Sequence, residues 1–415
     1  MKKKVLAVLL SALFLAGCAS PNPEPNPNNT AALVDDSGYA LGQEEELIGG
    51  INQFAFDFYG EVNAKDNVFI SPWSASSALG MTYEGAREKT AEEMAQVLGL
   101  PANDARRRSS FAHLIKEINA PNEHYNLSTA NAIWINQEFQ IEDSFSNVAR
   151  SYYDAQSSEV DFSRNIEAAS EINSWVEEKT NNKIKDLVPP SALNSLTRIV
   201  LTNAVYFKGT WKIQFDPNNT KKEVFHSPSG EVMADMMIIT KNDKGFNYAE
   251  DGLAQVLELP YNGDKISMLI ILPKGDISEL EASLDAAKVA EYRNSLRNRE
   301  FPIYIPKFKF EKSYSLKQAL SNLGMQSAFA PGVADFSGIS KGEDLYISEA
   351  LQKTFVEVNE EGTEAAAVTA VVAIAESAEI QIPLEFKADH PFIFLIQDRE
   401  TGLILFLGKI TDPTK

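Results

Sequence analysis

Cysteine is nearly absent: Cys18 is the only one in 415 residues. The rest of the chain therefore has no disulfide, no thiolate metal site and no thiol nucleophile. Histidine is scarce too. His113, His124, His226 and His390 are the four, and none stands at metal-ligand spacing from another. His390, beside Pro391, reads as structural. No HExxH, GxSxG or P-loop pattern occurs, and no two carboxylates pair as acid and base. The expectation is a protein that is not an enzyme and holds no metal and no cofactor. Basic residues are in the minority, 38 against 58 acidic ones, for a net charge of −20. Phosphates would be repelled, which argues against a nucleic-acid partner. The charge reads as a solvated acidic surface. Long apolar runs are also missing. Val5–Ala16, behind the basic Lys2–Lys4, falls short of the ~20 residues that a membrane-spanning helix needs. It reads as the apolar part of a secretory signal peptide over residues 1–17.

The Leu-Ala-Gly-Cys sequence ending at Cys18 resembles a bacterial lipoprotein cleavage box. That resemblance implies a mature chain that starts at Cys18, carries lipid there and is held on a membrane. Ala19 follows where an Asp would otherwise stand. In a two-membrane bacterium this points to the outer membrane, and otherwise to the cell surface. Residues 18–43, rich in Pro, Asn and Ser, read as the lipidated N-terminus and an extended, disordered tether. With no linker composition after Glu44, residues 44–415 read as one large domain of mixed α+β class.

Leu47, Ile51, Phe54 and Phe58 recur at helical spacing. In Asn67–Met81 a short strand meets Ser71-Pro72, and a helix is expected from Trp73–Ser74. Thr90 and Glu93 have capping-box spacing. Leu127–Gln137 alternates as a strand. Ile166, Ala169, Ile172 and Val176 mark a helix. Arg198–Phe207 is a near-continuous apolar strand, as expected of one buried on both faces. Asn262-Gly263 signals a hairpin between Leu253–Leu259 and Ile266–Leu272. Ile303–Phe310 and Leu345–Val358 are further strand candidates. Pro391–Gln397 and Leu403–Ile410 flank a C-terminal hairpin turn.

One stretch stands apart. Ala365–Ala375 has no charge, no Pro and no Gly. Its β-branched residues favour a strand. Alternation would put Thr363, Ala365, Ala367, Thr369, Val371, Ala373 and Ala375 on one face, all small or medium. Such a strand can slot into the middle of a sheet, and Gly362 before it can supply the freedom of a hinge.

The run Glu360-Glu361-Gly362-Thr363-Glu364-Ala365-Ala366-Ala367 resembles the hinge of the serpin reactive-centre loop. Phe386–Ile396, FKADHPFIFLI, resembles the serpin signature. The resemblance runs from about Glu44 to Pro413. It implies the serpin fold: three β-sheets, surrounding helices and an exposed reactive-centre loop at about 359–383. It also implies a function, suicide-substrate inhibition of serine proteases, with papain-like cysteine proteases as further targets. The protease forms a covalent acyl complex with the loop, which then inserts into the main sheet. A monomer is expected. A non-inhibitory serpin acting as a binding or storage protein is the alternative. The small residues of Ala365–Ala375 speak for the inhibitor.

Residue roles follow from the same resemblance. Glu360, Gly362, Thr363 and Glu364 form the hinge, with Thr363 expected near the surface before cleavage. Ala365, Ala366 and Ala367 let insertion begin. Ser71, Ser74, Asn203 and Trp211 match the sheet-opening region. Gln352 stands where most members carry His. The Ile166 helix is expected to cross the main sheet. Counting from Gly362 puts the reactive bond at Glu376-Ser377. Val372, Ala373, Ile374, Ala375, Ala378 and Ile380 are alternatives. These residues suit elastase-like, subtilisin-like or Glu-specific enzymes. No Arg or Lys lies between Gly362 and Phe386, which speaks against trypsin-like ones.

Overall fold

Behind Arg198 the apolar run forms a strand buried on both faces, and the main sheet is laid out around it. The structure, a computed structural model, describes residues 34–62, 65–120, 122–341, 344–363 and 384–415. The main sheet draws on β1 (Tyr125–Asn136), β2 (Gln156–Val160), β3 (Ile199–Thr210), β4 (Phe308–Ser315), β5 (Ile347–Val358) and β6 (Gly362–Thr363). Their order across the sheet is β4-β5-β6-β3-β1-β2. A seven-stranded sheet and a four-stranded sheet complete the three expected. The seven-stranded one contains the hairpins Ala254–Pro260/Ile266–Pro273 and Phe392–Asp398/Ile404–Ile410.

The helices include α1 (Glu45–Val62), α2 (Pro72–Tyr83), α3 (Glu88–Leu98), α4 (Asp104–Ile118), α5 (Asp143–Tyr153) and α6 (Asn165–Lys179). Ser71 caps α2 by accepting from the Ser74 N–H, and Pro72 takes the first helical position. The expected start at Trp73–Ser74 is thus slightly late, because proline there lacks only an N–H the helix would leave unpaired. Nearly every residue of α2 is buried, so its small residues Ser74, Ala75, Ser76, Ser77 and Ala78 suit a helix threaded beneath a sheet.

The two faces of β3 meet two cores. Leu201, Val205 and Phe207 join Leu127 and Ile133 in the large core shared with the seven-stranded sheet. Val200 and Ala204 join Ala130, Ala132 and Trp134 beneath α6. Ala169, Ile172 and Val176 carry that packing, as expected, but Ile166 is 67% exposed. It sits in the first turn, and Ala168 takes the inward place.

Three more expectations need correction. Thr90 and Glu93 do not form a capping box: α3 starts at Glu88 behind Arg87, which makes no side-chain cap. Thr90 instead accepts from the Asp335 N–H, and Glu93 accepts from Ser327. Ile303–Phe310 is two strands in different sheets, Ile303–Pro306 and β4, separated at Lys307. The chain is docked from Val34, ten residues before Glu44. Tyr39 stacks on His113 at 3.6 Å, Lys116 pairs with Asp36, and Gln43 donates to Ser109. These polar and aromatic contacts with α4 hold a segment whose composition alone reads as tether.

Candidate functional site: a seam in the main sheet

β3 and β5 run parallel and pair directly from Ile347↔Ile199 to Phe355↔Tyr206. Their other neighbours, β1 and β4, are antiparallel to them. This parallel junction inside the sheet is the seam; the other parallel pair, β1 with β2, lies at the sheet's edge. Parallel pairs are slightly weaker per residue than antiparallel ones.

A polar row crosses the seam at mid-height. Asn131 of β1, Asn203 of β3 and Gln352 of β5 stand in register. Gln352 Nε2 donates to Asn203 Oδ1 at 2.5 Å and to the Ser71 carbonyl at 2.9 Å. Gln352 Oε1 accepts from the Ser71 N–H at 3.0 Å. Asn203 Nδ2 donates to Asn131 Oδ1 and to Ser74 Oγ. Ser74 Oγ donates to Asn131 Oδ1 at 3.1 Å, and Ser71 Oγ donates to the Leu405 carbonyl at 2.7 Å. All five side chains are buried. Glutamine fills the place expected of histidine and uses both ends of its amide. Ser71, Ser74, Asn203 and Gln352 are thus brought together. Asn131 was not foreseen, though it interrupts the apolar face Tyr125, Leu127, Ile133, Ile135.

At its top the seam splits. After β5 the chain turns through Asn359–Glu361 and comes back as β6, antiparallel to both neighbours: Val358↔Thr363, Gly362↔Thr210, Thr363↔Gly209. Asn359 Oδ1 accepts from the N–H groups of Glu361 and Gly362 and fixes the turn. Trp211 donates through its backbone N–H to the Glu361 carbonyl and through Nε1 to the Asn359 carbonyl. The Phe215 N–H donates to the Glu360 carbonyl. Glu360 is buried and accepts from Thr220 and Lys307, whose Nζ lies 2.8 Å from Oε2. Burial alone would raise the Glu360 carboxyl, but Lys307 and Thr220 outweigh it and hold it below its usual range.

Two expectations about this turn change. Thr363 is not near the surface: it is 1% exposed and shares a 2.7 Å hydrogen bond with Tyr261 OH. The seam already holds it. Gly362 does not take the left-handed conformation. Glycine is needed there because a Cβ would run into the Gly209 carbonyl and stand 2.8 Å from Thr210 Cα. Lys307 and Tyr261, both central to the turn, were not singled out from the sequence. Nothing local marks them, since each acts across the fold.

His390 is held between Asp389 Oδ1 and the Pro273 carbonyl, each at 2.9 Å, and Asp389 raises its pKa. That is a structural setting for the start of strand Phe392–Asp398. Among the described residues no cluster of His, Cys, Asp and Glu could hold a metal ion. Glu364, Ala365, Ala366, Ala367, the reactive-bond candidates Val372, Ala373, Ile374, Ala375, Glu376, Ser377, Ala378 and Ile380, and Cys18 lie outside the described residues.

Comparison with known proteins meets the same picture. The family model for serpin (serine protease inhibitor) matches residues 50–413. An uncharacterised serpin-like protein of Thermococcus kodakarensis is 43% identical, covering 100% of this chain and 99% of its own length. The leukocyte elastase inhibitor of Xenopus tropicalis is 38% identical over 89% of this chain and 100% of its own. The crystal structure of Serpin48 from the insect Tenebrio molitor superposes with a TM-score of 0.80. It is 37% identical and covers 90% of this chain and 99% of its own. Serpins are protease inhibitors or binding proteins, not catalysts. The chain belongs to the serpin (serine protease inhibitor) family.

Proposed function

We propose that this serpin is a suicide-substrate inhibitor of serine proteases with small apolar primary pockets, elastase-like or subtilisin-like, with Glu-specific enzymes as a further class. Papain-like cysteine proteases are secondary targets. The protease attacks the loop through its own nucleophile and becomes acylated. The freed loop then enters the seam. Serpin loop insertion is itself an established example of strand addition and of released strain.

One observation carries the reading. Gly362–Thr363 already stands in the top of a parallel seam as an antiparallel strand. Continuing that strand would replace one parallel junction by two antiparallel ones. The register of Thr363 with Gly209 and Val358, stepped down the seam, would bring Thr369 between Asn203 and Gln352. A hydroxyl there can both donate and accept, so it suits the gap between two amides that now bond each other. About 15 inserted residues at ~1 kcal/mol net per ladder bond, plus apolar burial, yield on the order of 10 kcal/mol. That is enough to distort a catalytic site that depends on fine positioning.

The name of the Xenopus relative, a leukocyte elastase inhibitor, supports the elastase-like choice. The small apolar residues Val372–Ala375 and Ala378 support it from this chain. We further propose that lipid on Cys18 anchors the protein on the outer membrane or cell surface. No helix among the described residues is long and apolar enough to cross a membrane. The deciding experiment mixes the purified protein with an elastase and runs a denaturing gel. A covalent complex is expected. Clean loop cleavage with release of active protease would instead mark a non-inhibitory binding protein.

A further inference from the structure

Tyr261 follows the strand Ala254–Pro260 and is wholly buried. Three contacts fix it from β3's exit. The Lys212 N–H donates to the Pro260 carbonyl, the Asn262 N–H donates to the Thr210 carbonyl, and Trp211 bridges to Tyr261. Its ring stacks on Trp211 with centroids 4.5 Å apart and meets Phe207 edge-on at 5.0 Å. The ring can lie against β3 only because residue 209 is glycine, where a Cβ would stand 2.8 Å from Tyr261 Cδ1. The backbone that lacks this Cβ also receives β6, since Thr363 pairs with Gly209. The phenol is thus aimed by rigid parts at one target, the hydroxyl of Thr363 at 2.7 Å.

We infer that Tyr261 is a positioning residue: its hydroxyl latches Thr363 in the seam before cleavage and so sets the register from which insertion proceeds. The inference rests on the inhibitory reading above. With the latch closed, the chain has already reversed direction at Asn359–Glu361, and insertion needs no new turn. With the latch open, β6 leaves the seam. The loop gains free length, and insertion must begin again with Thr363.

The test uses the full chain and the variants Tyr261→Phe, Thr363→Val, Thr363→Ser and the double Tyr261→Phe/Thr363→Val. Phe keeps the stacking on Trp211, Val keeps the shape of Thr, and Ser keeps the hydroxyl. Amide exchange by mass spectrometry follows the peptide covering 359–363, without protease. Tyr261→Phe and Thr363→Val should each speed its exchange about fivefold, as expected for one lost hydrogen bond. Exchange over 199–206 should stay unchanged. Thr363→Ser should match wild type, and the double variant should be no worse than either single one. With elastase, the ratio of cleaved product to covalent complex should rise at least about twofold in the same variants and be rescued by serine. Unchanged exchange in both single variants overturns the latch. Faster exchange with an unaltered product ratio overturns its role in positioning. If wild type traps no protease, the inhibitory reading fails, while the exchange measurement still decides whether the latch exists.

Discussion

Lys307 Nζ lies 2.8 Å from Glu360 Oε2 and ties the turn above the seam to the link between two sheets. Glu360 is buried, whereas the Lys307 side chain is 38% exposed, so water screens part of the attraction. Glu360→Gln should lower the thermal midpoint by roughly 1–2 °C at pH 7, about 1 kcal/mol in a domain of this size. The carboxyl is held below its usual 4.5 when folded. Its contribution is therefore complete above the unfolded value and is lost as pH falls through the folded one. The gap between wild type and variant should stay constant through the neutral range and narrow progressively once the pH falls below the ordinary carboxyl value of 4.5. Thermal melts at stepped pH check this, and a gap that widens in acid refutes it.

Asn203 bonds to Gln352, Ser74 and Asn131 across the seam. Asn203→Leu removes three bonds and strands their buried partners, at about 2 kcal/mol or more. The variant should lose its capacity to trap protease faster than wild type on warming alone. Only amides and hydroxyls meet at the row, so this loss should be nearly independent of pH between about 5 and 9. Residual complex formation after timed incubation is the measurement.

Cutting the loop between Ala375 and Ile380 should raise the thermal midpoint by roughly 10 °C or more, given about 10 kcal/mol of insertion in a domain of this size. Thr369→Val should reduce that rise without changing the uncleaved protein. An unchanged midpoint after clean cleavage would falsify loop insertion.

Gly362→Val should expel β6, because its side chain would enter the backbone of Gly209 and Thr210. Thr363→Arg should do the same, since a charge at a buried site costs several kcal/mol. Both variants should fold with the hinge outside the seam and act as substrates: cut at the wild-type bond, with the protease released active. Equal yields of covalent complex from variants and wild type, compared on a denaturing gel, would refute the register.

Cys18→Ser should release the protein from membranes in its native host and leave inhibition intact, because the polar row and the turn of the seam draw on residues from Ser71 onward. Fractionation with mass spectrometry of the N-terminal peptide decides it. Soluble, lipid-free wild type would end the proposal.

Helix α1 was legible because burial of one face imposes a period, and strand β3 because burial of both faces imposes a near-continuous apolar run. The polar row was partly legible: Ser71, Ser74, Asn203 and Gln352 came from resemblance, while Asn131 needed the register of β1 with β3. Thr90 and Glu93 show why local pattern fails. Their spacing fits a cap, but Asp335 and Ser327, more than 200 residues away, bind them instead. Lys307 and Tyr261 likewise act on residues outside any local window, Glu360 53 residues away and Thr363 102 residues away. Gly362 was read as a hinge for its freedom, whereas the requirement is room for another strand's backbone. Contacts of that kind leave no trace in neighbouring residues.

The turn at Asn359–Glu361 also bears on how the chain assembles. It joins residues a few places apart, so the hairpin of β5 with β6 can form quickly. The seam joins Gln352 to Asn203, 149 residues away, and loop closure makes it slower. A hairpin that kept growing before β3 arrived would carry the chain straight to the inserted sheet. The working form must instead be caught early, with β3 docking on β5 while the hairpin is two residues deep. Its survival is then a matter of timing during assembly, and refolding from denaturant should divide the chains between the two outcomes.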